Sequence, residues 1–386
     1  MKIRLAVIGG AFAAAASLAA QPALAADPKL PETMAWSAYD VGSSGYNQSV
    51  AIGSAFKNKY GTNLRIIPGK NDVSRMLPLK TGRLDFVANG VGTYMGQEGL
   101  YEFGNKDWGP MPLRILLTNI SGQAATMIVA GDIGVKTVAD LKGKRVSWVI
   151  GAPALNQNIT AVLAFAGLTW DDVEKVEFGG YGASLDAIIN DQSDAGFSVS
   201  VSGKAYALEK SPRGIVYPLM PASDAEGWKR VQAIGPYFVP TKATDGAGIQ
   251  KDKPIESSVY PYPILTTMAD RKVDDVYNMM HAMDDAYPMY KDAAPGNYGW
   301  GLDRQNLEWV VPYHEGAIKY FKAKGMWTDA HQKHNDMLVK RQQVLADAWK
   351  KVLAQDLDGD AHMAAWQRAR AGALRDAGMD VVIEDW

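Results

Sequence analysis

The chain contains no cysteine. That absence excludes thiol catalysis, disulfide staples, zinc ribbons and iron–sulfur clusters. Net charge is nearly lacking too. Against 40 lysines and arginines stand 42 aspartates and glutamates, so no basic excess exists to hold a phosphate backbone, and nucleic acid is not an expected partner. Only five histidines occur, all in the second half, which leaves few general bases. Past the leader described next, no run is long and apolar enough to span a bilayer. What is present is 386 residues, 47% apolar and 21% charged. This is enough for two or three domains with their own cores, and it excludes disorder, collagen and coiled coil.

The first 26 residues have the anatomy of a cleaved signal peptide. Met1-Lys2-Ile3-Arg4 is a positive head, Leu5 to Ala20 is an uncharged apolar run, and Ala23-Leu24-Ala25 has the small-x-small form of a cleavage site. The run is too short for a membrane anchor, and Pro22 follows it. Cleavage near Ala25 or Ala26 predicts a soluble, exported protein. Losing Lys2 and Arg4 takes the basic count from 40 to 38 against 42 acids, a net charge near −4.

One pattern occurs twice. Gly42-Ser43-Ser44-Gly45-Tyr46-Asn47-Gln48 leads into an apolar run ending at Phe56, and Gly151-Ala152-Pro153-Ala154-Leu155-Asn156-Gln157 leads into one ending at Phe165, at an offset of 109. Asp85 and Asp194 match at the same offset. Each copy reads as strand, Gly-bearing loop, amphipathic helix, strand, loop, helix, strand. The strands fall at Met34 to Tyr39, Leu64 to Ile67 and Phe86 to Ala88, and again at Arg145 to Ile150, Val176 to Phe178 and Ala195 to Phe197. This alternation predicts two mostly parallel sheets flanked by helices, a two-lobed α/β protein. Ligands of open parallel sheets sit beyond the strands' carboxyl ends, where loops enter helix N-termini. Those loops here are rich in Ser, Asn, Gly and Tyr, and free helix amides there favour an anion.

Four segments carry a family resemblance. Gly42-Ser43-Ser44-Gly45-Tyr46 resembles a Gly-Thr-Gly-rich-Tyr opening loop, and Leu79 to Val87 a helix–Gly–x–x–Asp–strand element. Val138 to Val146 is common to many binding proteins, and Val311 to Gly325 is similar to a Pro-x-His-x-Gly-Ala-x-x-Tyr-x-x-x-x-Gly signature. The family is that of the TAXI solute receptors of tripartite ATP-independent (TRAP) transporters. The resemblance implies a type II-like periplasmic binding protein that closes over a small organic acid or amino acid (a dicarboxylate, keto acid or glutamate-like solute) and docks on a TRAP permease. It implies no enzyme activity, no cofactor and no metal. Lobe 1 is expected over 27–128 and 255–386, lobe 2 over 129–254. Expected ligand contacts are Ser43, Ser44, Tyr46, Asn47, Asn71 and Asn89 in the first lobe, and Ala152, Asn156, Tyr181 and Ser198 in the second.

Other features read as structural. Lys70 and Arg75 could pair with a ligand carboxylate but read first as solvated helix charges, and Tyr46, Tyr94 and Tyr181 read as cleft or core aromatics. His314 reads as structural or docking, and His331 with His334 lack two further metal ligands. Asp356-Leu357-Asp358-Gly359-Asp360 departs from a calcium loop at two required positions. Pro78 should kink or shorten its helix. Ser257 to Thr267 reads as a strand returning to lobe 1, and helices are expected over Val273 to Tyr287, Asn306 to Gly325, Thr328 to Leu353 and Asp360 to Ala377. This helical tail could brace the hinge, meet a permease or form a homodimer. Rival functions are a ligand-sensing subunit for a membrane kinase and an exported enzyme on the same fold.

Overall fold

The computed structural model describes residues 27–386, so the expected leader lies outside the described residues. Two glycines at equivalent positions, Gly42 (φ 85°) and Gly151 (φ 71°), turn the chain from a strand into a helix in a conformation that side chains avoid. Around them the repeat is realised element by element. Lobe 1 runs β1 (Thr33–Tyr39), α1 (Ser44–Tyr60), β2 (Asn63–Gly69), α2 (Asp72–Lys80), β3 (Phe86–Asn89), α3 (Gly92–Glu98) and β4 (Leu113–Thr118). Lobe 2 runs β5 (Ala125–Ala130), β6 (Arg145–Val149), α4 (Pro153–Phe165), β7 (Glu174–Phe178), α5 (Tyr181–Ile189), β8 (Ala195–Val199), α6 (Gly203–Lys210), β9 (Ile215–Val216) and α7 (Ala225–Ile234). An antiparallel ribbon of β10 (Val239–Ala243) and β11 (Ile255–Val259) follows. Then come β12 (Ile264–Met268), α8 (Val273–Asp285), α9 (Tyr287–Tyr290), α10 (Glu315–Ala323), α11 (Asp329–Leu353) and α12 (Gly359–Asp376).

Among the described residues the sheets have the orders β2-β1-β3-β12-β4 and β7-β6-β8-β5-β9. In each, three strands joined by helical crossovers are parallel, and the fourth, arriving from the other lobe, is antiparallel to its neighbours. The fold is therefore two-lobed α/β with mixed sheets. Central strands β3, β5 and β8 are buried along their whole length, as strands covered on both faces must be. The lobe boundaries differ from the sequence expectation. β5 already belongs to the second sheet before residue 129, and the first sheet regains a strand only at Ile264.

Prolines account for two further differences. The strand expected over Ser257 to Thr267 is two strands, parted at Tyr260-Pro261-Tyr262-Pro263, where neither proline can donate to a ladder. Helix α10 covers only part of the Asn306 to Gly325 expectation. The segment before it runs beside β4 instead, with Ile115 N–H donating to Pro312 C=O (2.9 Å) and His314 N–H to Ile115 C=O (2.9 Å). Pro78 lies in the last turns of α2, which stops at Lys80, while its carbonyl accepts from Arg83 and Leu84.

The C-terminal helices clamp onto lobe 1. Trp366 is fully buried and donates its indole N–H to Gly99 C=O (2.6 Å), with Trp349 edge-on at 4.9 Å. Glu98, fully buried at the end of α3, receives Arg341 and Arg370 from the two tail helices, each at 2.7 Å. Trp386 packs against Tyr101 (6.0 Å between ring centres), and the Tyr101 hydroxyl donates to Gln157 Oε1 of lobe 2 at 2.6 Å.

Candidate functional site

The chain crosses between lobes at Asn119 to Ala124 and at Tyr260 to Pro263, and these crossings are bonded together. Tyr262 N–H donates to Asn119 C=O (2.8 Å), Asn119 N–H to Pro263 C=O (3.0 Å), and Gln123 Nε2 to Tyr262 C=O (2.7 Å). Beside this paired crossing the lobes meet around a small cavity of about 40 Å³. Lobe 1 presents Tyr39, Asp72 and Val91 to it, and lobe 2 presents Asn158, Tyr181 and Ser198, with Tyr260 and Tyr262 from the crossing between them. Burial pushes the phenols of Tyr39, Tyr260 and Tyr262 well up and that of Tyr181 up, so all four stay protonated and able to donate.

The helix ends at this cleft depart from the sequence reading. Helix α4 has Ala152 at its N-cap position and α5 has Gly180, neither of which has a side chain able to accept. Lobe 1 supplies both acceptors. Asp72 Oδ2 accepts the Ala154 N–H (2.9 Å) and Asp40 Oδ2 accepts the Gly182 N–H (3.1 Å). The amides expected to await a ligand anion thus hold the chain's own carboxylates. Further cross-lobe bonds run from Asn71 Nδ2 to Ile150 C=O (3.1 Å), Val73 N–H to Gly151 C=O (3.3 Å) and Tyr181 N–H to Lys70 C=O (3.0 Å).

Arg75 is not a solvated helix charge. It is 2% exposed, pairs with Asp72, donates from Nε to Asn89 Oδ1 (2.9 Å), and lies over the Tyr39 ring at 3.8 Å. Burial costs such a cation heavily unless it is paired and stacked in this way. Lys70, by contrast, stays exposed at the rim.

The ten residues singled out in sequence fall in different places, and only two of them line the cavity. Tyr181 and Ser198 line the cavity together, their hydroxyls 2.8 Å apart. Asn89 stands behind Arg75, Asn71 caps α2 and clasps lobe 2, and Ala152 opens α4. Ser43 caps α1, accepting from Tyr46 N–H (3.2 Å), and the neighbouring Ser44 is buried with its hydroxyl beside the Tyr262 phenol. Tyr46 and Asn47 lie apart from the cavity, in surface grooves beside α1. Asn156 also turns away, because its amide is spent on one residue, accepting from Val149 N–H (3.0 Å) and donating to Val149 C=O (2.9 Å).

Sequence reasoning passed over Tyr39, Asp72, Asn158, Tyr260 and Tyr262. The Tyr-Pro-Tyr-Pro run at 260–263 was a usable signal, since it marks a chain crossing and both of its tyrosines line the cavity. Asn158 is held by two phenols, donating to Tyr260 (3.0 Å) and accepting from Tyr237 (2.9 Å).

Three of the five histidines have structural roles. His314 is 1% exposed and caps α10, its Nδ1 accepting from Gly316 N–H (3.0 Å) while Nε2 donates to Arg271 C=O (2.9 Å). Burial holds its pKa below the usual value. His331 belongs to the capping box of α11, and His334 bonds Trp309 C=O. At the would-be calcium loop, Asp356 and Asp358 both bind Lys106 Nζ (2.9 Å each).

Among solved structures, the chain is similar to the alkanesulfonate-binding protein of Xanthomonas axonopodis pv. citri bound to MOPS (16% identity, 86% of this chain and 95% of that one, TM-score 0.44). It is also similar to an ancestral arginine-binding protein bound to arginine (15%, 69% and 95%, TM-score 0.40). A third is the periplasmic aliphatic sulphonate binding protein of Escherichia coli (12%, 81% and 89%, TM-score 0.40). Likenesses this distant do not identify the ligand of this chain. The sequence itself gives the family: the NMT1-like family model matches residues 41–325, across both lobes, and the chain belongs to the NMT1-like family.

Proposed function

We propose that this chain is an exported solute receptor that captures a small organic anion or amino acid by lobe closure and delivers it to the membrane permease of a TRAP transporter. The observation that carries the reading is the cavity between the lobes, walled by residues of both and bridged on its rim by cross-lobe hydrogen bonds. A solute touching both walls binds the closed arrangement better than the open one, which is the differential affinity that closure requires. The leader supports export, and the four family-like segments support TRAP delivery. Among the described residues no histidine lines the cavity, which favours capture over catalysis.

The test is a thermal-shift and calorimetric screen of the mature chain against amino acids, keto acids and dicarboxylates. One compound class should raise the melting temperature by mass action and contract the molecule in solution scattering. A screen in which no compound does either would end the receptor reading.

A further inference from the structure

A second cavity, of about 250 Å³, lies against a different face of α4. Leu155 and Asn158 of that helix line the first cavity, whereas Gln157 and Thr160 line this one, and the two share no lining residue. Its volume falls below the roughly 300–1,000 Å³ of pockets that hold drug-sized ligands, so it suits a small occupant. Both lobes build it: Tyr101 and Glu102 come from lobe 1, Trp148 and Trp170 from lobe 2.

The aromatic walls are fixed in place. Trp148 and Trp170 meet edge to face with ring centres 5.0 Å apart, and Trp170 Nε1 donates to Thr160 Oγ1 (2.9 Å). Tyr101 spends its hydroxyl on Gln157 Oε1 (2.6 Å). Its backbone has φ 53°, a conformation that bulky residues avoid and that gathers at binding sites.

Glu102 is the only charged residue among the described residues that line this cavity, and it lacks a cation. It is half-buried and forms no ion pair with any described residue. Lys106, four positions on, is held by Asp356 and Asp358. Lys175, over the Trp148 ring at 4.9 Å, is held by Glu177 (3.0 Å) and is not part of the lining. Burial pushes the Glu102 carboxyl up, and the charge of Asp72 pushes it the same way, so a cation beside it would relieve both.

We propose that this cavity is a second ligand site, one for a small organic ammonium ion, with the Glu102 carboxylate as counter-charge and the Trp148, Trp170 and Tyr101 rings against the alkyl groups. Aromatic rings attract alkylammonium ions and a nearby carboxylate adds to the attraction. An anion would meet only the like charge of Glu102, and a hard metal ion would find a single carboxylate where it needs several oxygens. The site does not depend on which solute enters the first cavity, and it goes beyond the receptor reading.

The experiment is calorimetry of the mature chain with choline and n-butylammonium, beside two controls, uncharged 3,3-dimethylbutan-1-ol and anionic n-butyrate. At least one ammonium ion should bind about tenfold or more tighter than both controls and change tryptophan emission saturably. Glu102→Gln, its fold checked by melting temperature, should weaken that binding about tenfold, and Trp170→Leu should weaken it by a smaller factor. Binding by neither ion, controls that bind equally well, or binding that Glu102→Gln leaves unchanged would each overturn the proposal. Any of these leaves the receptor reading standing, since that reading rests on the first cavity.

Discussion

Asp40 in lobe 1 lies 3.1 Å from the backbone nitrogen of Gly182 in lobe 2, capping a helix whose own cap residue, Gly180, has no side chain. The bond exists only while the lobes are together. Asp40→Ala should cost about 1 kcal/mol of closure, the worth of an ordinary N-cap, and so move the open–closed balance roughly five-fold toward open. Solution scattering without ligand should show a larger radius of gyration, and ligand affinity should fall by a similar factor. An unchanged radius and affinity would mean that this cap does not hold the lobes.

Asn156 ties α4 to the end of β6 through both polar groups of Val149. Asn156→Ala leaves a buried N–H and a buried C=O without partners, and should lower unfolding stability by roughly 1–3 kcal/mol in urea titration. Affinity per folded molecule should be little changed, because the side chain faces away from the cavity. A stable variant with weakened binding would reverse this assignment.

Burial pushes the Glu98 carboxyl up, but the hydrogen bonds and charges of Arg341 and Arg370 outweigh it and hold the pKa below the usual range. A carboxyl lowered in the folded state contributes stability above its unfolded pKa, about 4.3, and loses it as pH falls through the folded value. Acid unfolding should therefore steepen below about pH 4.3, and Glu98→Gln should flatten that limb. At neutral pH the same variant leaves the buried Arg370 and the partly buried Arg341 without their carboxylate and should cost about 3–5 kcal/mol. Equal acid sensitivity in the variant would remove Glu98 from this role.

His314 works in the opposite chemical sense with the same sign. Its neutral ring caps α10, and burial holds its pKa below the ordinary 6.5. The unfolded chain takes up the proton first, so stability present above pH 6.5 declines on acidification below it. His314→Asn keeps a competent cap and should remove that decline in melting curves between pH 7.5 and 5.5. A decline that persists unaltered would point to another group.

Local patterns carried far in this chain because they record local needs. Gly42 and Gly151 occupy matching left-handed turns, and Thr328 caps α11 by bonding His331 N–H. Chemistry set by distant partners was not legible. Asp72 and Arg75, three apart in a helical first turn, read like any surface pair. They are buried because Ala154, 82 residues away, and Tyr39 close over them. Asn156 misled for the converse reason. A polar residue on a βα loop looks free until the backbone it serves, seven positions earlier, is located.

The Trp386–Tyr101–Gln157 chain gives the protein an optical reporter of its own. The Tyr101 hydroxyl must release Gln157 when the lobes part, and the indole of Trp386 rests on that tyrosine. Under the proposed lobe closure its emission should respond to the motion, within a chain of 11 tryptophans. The difference spectrum against Trp386→Phe isolates that signal, so opening and closing can be timed in stopped flow without attaching a dye.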